Sequence, residues 1–347
     1  MRLGRILAAA ATAAALTLGF AACAAPETGT ASPAPTSSTP AEGTTFTVEH
    51  AFGTTEITGK PERVATVAWA NHEVPLSLGV VPVGMAAANF ADEDGDGLLP
   101  WVKDKLDELG ADIPVLFDES DGIDFEAVAN TKPDVILAAY SGLTQEDYDT
   151  LSKIAPTIAF PDSPWTTSWR DMIRLNAAGM GMAAEGDALI AELEQLIAEK
   201  GAAQPALAGS SVMFLTHVDL SDLSVVRFYT PVDTRVAFFA DLGMTMPKSI
   251  AEFDPDPANP FAGSISAENA DIFSDVDVIV TYGNQEMIDS LKADPLLGLM
   301  PAIANGAVVL LDGSSANATA ANPTPLQLPY LIDWYVGELV AAAEKVQ

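Results

Sequence analysis

The chain has 347 residues, room for two domains of ordinary size, each with its own core. Its 48 acidic side chains against 16 basic ones leave a formal charge of −32, which argues against nucleic acid and against an anionic membrane surface as direct partners. A single cysteine rules out an internal disulfide, and three scattered histidines do not make a transition-metal cage, so no metal ligand and no cofactor is assigned.

The chain opens on a basic stretch, MRLGR, followed by the short Ala-rich apolar run ILAAAATAAALTLGF. That is the pattern of a secretory signal, too short for a good membrane span. The run leads into FAAC, which resembles the lipobox of bacterial lipoproteins, with Phe20 where that motif has Leu. The resemblance implies a signal peptide over 1–22 and lipidation at Cys23. Residues 23–45 are rich in Ser, Thr, Pro and Ala, carry no apolar periodicity, and read as a flexible tether. Such a tether spans roughly 25 Å.

From Phe46 the pattern is that of folded protein. A hairpin, TFTVEH with TTEITG, precedes a series of apolar strands in RVATVAW, PVGMAA, PVLFD, DVILAAY and PTIAFP. Helical segments separate them: NHEVPLSLG, PWVKDKLDELG, DFEAVANTK and TQEDYDTLSKIA. Strands that alternate with helices and are apolar throughout predict a mainly parallel sheet covered on both faces. A long helix follows, with Leu189, Ile190, Leu193, Leu196 and Ile197 on one face. After Pro205 the alternation restarts with SSVMFLTHV, LSVVRFYT, DVIVTYG and AVVLLDG. The fold class is therefore two α/β lobes with mainly parallel sheets, an N-terminal lobe over 46–165 and a C-terminal lobe over 208–347. A bridging helical segment over 166–207 joins them.

One phrase occurs twice. GIDFEAVANTKPDVILAAY and SISAENADIFSDVDVIVTYG each place a Glu (Glu126, Glu268) ahead of an apolar-spaced helical turn. Each then has an Asp (Asp134, Asp277) and an apolar strand. An acid in the first turn of a helix is favoured by the helix dipole wherever it occurs. Neither Glu stands three residues after a Ser, Thr or Asp, so a capping box does not account for them.

The leader, GKPERVATVAW, SLGVVPVGMAA, the first copy of that phrase, LSKIAPTIAF, SWRDMIRLNAAGMG and the second copy follow one another in order. Together they resemble the substrate-binding lipoprotein of a ferric-siderophore ABC importer, a class that also includes cobalamin and haem binders. The resemblance covers about 46 to 346. It implies a ligand cleft between the lobes of a lipid-anchored, monomeric receptor on the outer face of the cell membrane, which captures a ferric siderophore and performs no chemistry. It also implies that Glu126 and Glu268 dock on the two subunits of a permease dimer. Cobalamin or haem remains the alternative ligand, with His217 and several tyrosines as candidates for haem. An exported enzyme on the same scaffold is a remoter alternative, since no G-x-S-x-G, Walker A or H-E-x-x-H is present.

Ligands of α/β sheets bind beyond the carboxyl ends of strands. Those ends offer Trp69, Tyr140 and Trp165 in the first lobe, and His217, Tyr229 and Tyr282 in the second. Such aromatics supply rigid apolar area with a polar tip. Beyond residue 207 there are two arginines, Arg227 and Arg235. Arg227, in VVRF, is favoured for the chelate oxygens, with a salt bridge to Asp219 or Asp233 as the competing reading; Arg235 is left open. Finally, Asp92, Asp94, Asp96 and Gly97 begin like a calcium loop, but Pro100 and Lys103 stand where further ligands are required. The sequence reads it as an acidic surface loop.

Overall fold

The computed structural model describes Gly43 and residues 45–346. The signal segment, Cys23 and the tether up to residue 42 lie outside these. Strands β1 (Thr45–His50) and β2 (Gly53–Thr58) form the antiparallel hairpin. The first lobe then runs β3 (Val64–Thr66), α1 (Glu73–Ser77), β4 (Gly84–Ala86), α2 (Pro100–Glu108), β5 (Val115–Phe117), α3 (Phe125–Asn130), β6 (Val135–Leu137), α4 (Gln145–Leu151) and β7 (Thr157–Ile158). Its sheet is parallel throughout, in the order β5-β4-β3-β6-β7.

Two helices, α5 (Trp169–Gly179) and α6 (Ala183–Ala202), occupy the bridging segment. The chain turns between them at Gly181, whose φ of 70° is left-handed. The expected long helix is α6, about 30 Å at 1.5 Å per residue. It buries Ile190, Leu193 and Ile197.

The second lobe runs β8 (Val212–Leu215), β9 (Val225–Tyr229), α7 (Thr234–Asp241), α8 (Lys248–Ala251), β10 (Ala262–Ser266), a 3-10 helix (Ala267–Asp275) and β11 (Val278–Tyr282). It continues through α9 (Gln285–Ala293), α10 (Pro301–Asn305), β12 (Val308–Leu311), a 3-10 helix (Ala316–Ala321) and α11 (Gln327–Ala343). The sheet order, β10-β9-β8-β11-β12, repeats that of the first lobe strand for strand. The difference is direction: β9 is antiparallel to both its neighbours, so this sheet is mixed.

The repeated phrase has a structural meaning at its Asp. Asp134, just before β6, accepts the N–H groups of Glu62 and Arg63 at the entry to β3. Asp277, just before β11, accepts the N–H and hydroxyl of Ser211 at the entry to β8. In both lobes the same acid ties the first central strand to its parallel neighbour.

One continuous core joins the inner faces of the two sheets through α5, α6 and α11, including Leu137, Ile173, Ile190, Phe214 and Tyr335. Separate cores line the outer face of each sheet. Two carboxylates of the first lobe also cap helix starts in the second. Glu73, 1% exposed, accepts from Trp101 Nε1, Thr324 Oγ1 and the N–H groups of Leu326 and Gln327 where α11 begins. Glu93, exposed, accepts from Ser315 Oγ and the Ala316 N–H at the start of the 3-10 helix Ala316–Ala321. Helix starts carry unsatisfied N–H donors and positive partial charge, which is why an acid suits both places.

Candidate ligand-binding site

A cavity of about 410 Å³ opens in the first lobe, lined among others by Trp69, Ala88, Asn89, Glu119, Leu143 and Trp165. Both tryptophans stand on unusual backbone. Trp69 lies between Ala68 and Ala70, with φ of 60° and 59°, and Trp165 itself has φ of 61°. Left-handed backbone costs a residue with a Cβ about 1–2 kcal/mol and persists where the surroundings enforce it. The Trp165 indole lies so close to Gly142 that a Cβ there would come within 2.3 Å of Nε1. Glycine at 142 makes room for the ring.

From this cavity a path of rings crosses to the second lobe. Trp69 meets Phe90 edge-on at 6.2 Å, and Phe90 meets Tyr282 at 5.8 Å. Tyr282 stacks with His217 at 4.9 Å and touches Phe214, which in turn meets Tyr229 at 5.5 Å. Trp165 contacts Tyr140 edge-on at 5.4 Å. A second cavity, about 330 Å³, lies where Phe90 faces His217, Tyr282 and Met287.

Arg235 is the cation of this cluster. Its guanidinium makes two bonds to Asp233, Nε to Oδ1 at 2.8 Å and Nη2 to Oδ2 at 2.6 Å, and lies 3.6 Å from the centre of the Tyr229 ring. Asp233 also caps α7 by accepting the Arg235 N–H. Burial opposes the charge on Arg235, but the hydrogen bonds and charge of Asp233 outweigh it and raise its pKa further. Tyr140 is shifted up, first by burial and then by Asp233, with Arg235 and a bond to Asn322 pulling the other way. Tyr282 is raised by burial, against a bond from Arg235. His217 is lowered by burial and by Arg235, which favours its neutral form.

Six of the seven residues assigned to the ligand thus lie along one line: Trp69 and Trp165 line the first cavity, Trp165 meets Tyr140, and Trp69 leads through Phe90 to Tyr282 and on to Tyr229 and Arg235. Arg227 does not join them. It is exposed in the middle of the reversed strand, without an ion pair among the described residues, and its charge acts on Asp219 and Asp222. Arg235, left open by the sequence, sits among the aromatic rings, and Arg227, favoured there, does not. Asp233 does form a salt bridge, but with Arg235. Phe90 and Glu119 were not singled out from the sequence; Phe90 stands in an ordinary-looking loop, and the burial of Glu119 depends on the loop at Ala68.

Comparison with known proteins places this arrangement. Residues 64–314 match the periplasmic binding protein family. The chain belongs to that family. Among solved structures, PiaA of Streptococcus pneumoniae TIGR4 in complex with ferrichrome is 44% identical, covering 87% of this chain and 99% of its own, with a TM-score of 0.82. A periplasmic solute binding protein of Mycobacterium smegmatis is 26% identical over 86% of this chain and 99% of its own, with a TM-score of 0.69. The ferric-anguibactin-binding protein FatB of Vibrio anguillarum is 25% identical over 82% of this chain and 85% of its own.

Two further expectations can be placed on this periplasmic binding protein. Glu126 and Glu268 are both exposed in the first turn of a helix, each two residues after a capping side chain, Asp124 and Ser266. Glu268 stands on a 3-10 helix where Glu126 stands on an α-helix. In the acidic loop, Lys103, a residue that breaks the calcium pattern, places Nζ 2.7 Å from both Asp94 and Asp96. The loop supplies its own cation. No helix among the described residues is long and apolar enough to cross a membrane.

Proposed function

We propose that this periplasmic binding protein captures a ferric siderophore between its lobes and hands it to the permease dimer of an ABC importer. The observation that carries the reading is the cleft: a run of aromatic faces with one partly buried arginine already matched by Asp233. Such a site offers contact area and little net charge, which suits an uncharged chelate better than a highly anionic one. A trihydroxamate of the ferrichrome kind has those properties, and the 44%-identical PiaA was solved with ferrichrome. Trp69, Trp165, Tyr140, Tyr229, Tyr282 and Arg235 would contact it. The protein acts as a carrier and makes or breaks no covalent bond.

Delivery rests on Glu126 and Glu268, one exposed acid on each lobe, meeting basic groups of the permease. Cys23 would carry lipid and hold a monomeric receptor to the outer face of the membrane through the tether. Tryptophan-fluorescence titration tests the ligand. Ferrichrome should quench saturably, with haem, cobalamin and a ferric tris-catecholate binding more weakly. Tighter binding of haem or cobalamin than of any ferric siderophore would overturn the reading.

A further inference from the structure

Trp69 is held by its backbone. Its indole N–H is buried and has no hydrogen-bond partner, so the direction of the ring follows the loop that carries it. That loop has left-handed alanines on both sides of Trp69. Two side chains from within the lobe grip it. Asn71, fully buried, donates from Nδ2 to the carbonyls of Val67 and Tyr140, while its Oδ1 accepts the Tyr140 N–H and Asn176 Nδ2. Glu119, in the segment after β5, accepts the Ala68 N–H on Oε2 at 2.9 Å. Asn71 fixes the far end of the loop; among the described residues, Glu119 is the side chain that engages the left-handed Ala68.

We propose that Glu119 is a positioning residue for the ligand: by accepting the Ala68 N–H it holds Trp69 at the angle the chelate meets. This rests on the reading of Trp69 as a ligand contact. Glu119 spends little of its bonding capacity elsewhere, since Oε1 is buried without a partner. A carboxylate accepts an N–H more strongly than the neutral acid does, so the grip tightens with ionisation. Burial lifts the pKa of Glu119 to about 7, against the pull of the Ala68 N–H. The other ionisable groups lining the cavity are His72, Glu73 and Asp147. His72 is pushed down to about 4 by burial and stays neutral at neutral pH. The Glu73 carboxylate, its pKa raised by burial, is turned toward four donors around the start of α11, and Asp147 faces the Thr144 cap. Of these groups Glu119 is the one whose carboxylate bonds the backbone of the Trp69 loop, and its pKa of about 7 puts its own charge change near neutrality.

Two arms test this, one without ligand. Acrylamide quenching of Trp69, with Trp69→Phe as the blank, should rise as pH falls from 8 to 6, with a midpoint near 7. In Glu119→Gln it should be flat at the low-pH value. Affinity for ferrichrome, whose charge is constant over that range, should follow the same curve and lose about ten-fold in Glu119→Ala. Adding Ala68→Gly to that variant should restore part of the loss, because glycine takes a left-handed φ without steric conflict. A pH response of Trp69 unchanged in Glu119→Gln would overturn the proposal. So would an affinity loss in Glu119→Ala with Trp69 quenching unaltered, which would make Glu119 a direct ligand contact. If ferrichrome does not bind at all, the functional reading falls, while the quenching arm still decides the role of Glu119.

Discussion

Glu73→Ala is the substitution whose effect the structure specifies most fully. The carboxylate is 1% exposed and receives Trp101 Nε1 at 2.7 Å, Thr324 Oγ1 at 2.5 Å, Leu326 N–H at 2.9 Å and Gln327 N–H at 3.2 Å. Truncation strands four donors together in a buried space at the start of α11. Each buried unsatisfied donor costs about 1–3 kcal/mol, and bonds to an ionised group lie at the upper end. Against this stands the desolvation of the carboxylate, which raises the Glu73 pKa despite all four donors. Water entering the space would satisfy part of the remainder. The expected loss is about 3 kcal/mol, a large share of the stability of an ordinary domain. Urea unfolding followed by far-UV circular dichroism measures it, and amide exchange at Leu326 and Gln327 should quicken selectively. Glu73→Gln keeps one acceptor but turns an amide N–H₂ toward donors, and should fall between the two. An alanine variant within about 1 kcal/mol of the parent, with those two amides still protected, would refute the reasoning.

Gly142→Ala puts a Cβ 2.3 Å from Trp165 Nε1 and should displace that ring, weakening ferrichrome binding several-fold while the melting temperature stays nearly constant. Arg235→Lys keeps the charge but loses the two-pronged bond to Asp233 and the stacking on Tyr229, and should cost about ten-fold in affinity, whereas Arg227→Ala should stay within about two-fold. Both are read by the same titration. Glu119 is raised from an ordinary 4.5 to about 7, so the folded protein binds its proton more tightly than the unfolded chain does. Its contribution is favourable at low pH and is lost as pH rises through 7; Glu119→Gln should therefore gain up to about 3 kcal/mol on the parent at pH 8 and little at pH 4, by calorimetry. Glu126→Ala with Glu268→Ala should leave folding and affinity near those of the parent but cut uptake in cells, most in the double variant, because two-point docking loses its second arm.

Much of the architecture was legible because its signals are local. Apolar runs such as DVILAAY and DVIVTYG gave the central strands, and Asp134 and Asp277 marked the same joint in each lobe. What escaped depends on partners distant in the chain. Strand direction leaves no trace in alternation, so the reversal of β9 was invisible, and with it the position of Arg227 in mid-strand. Arg235 and Asp233 stand two residues apart, and their pairing could be guessed, but the Tyr229 face beneath the guanidinium could not. Glu73 reads as an ordinary first-turn acid in NHEVPLSLG; its burial arises from Thr324, 251 positions later.

The two acids that cap helix starts across the lobe boundary are unequal in kind. Water and salt reach Glu93, whereas Glu73 is sealed from both. Both carboxylates accept from neutral N–H and O–H donors, and such a bond is worth less where water can replace the partner than where it cannot. The seam between the lobes therefore has a weak stitch near Phe90 and a firm one at α11. Separating the lobes is therefore expected to cost less at Glu93 than at Glu73, and the Ala316 amide should exchange with solvent sooner than those of Leu326 and Gln327.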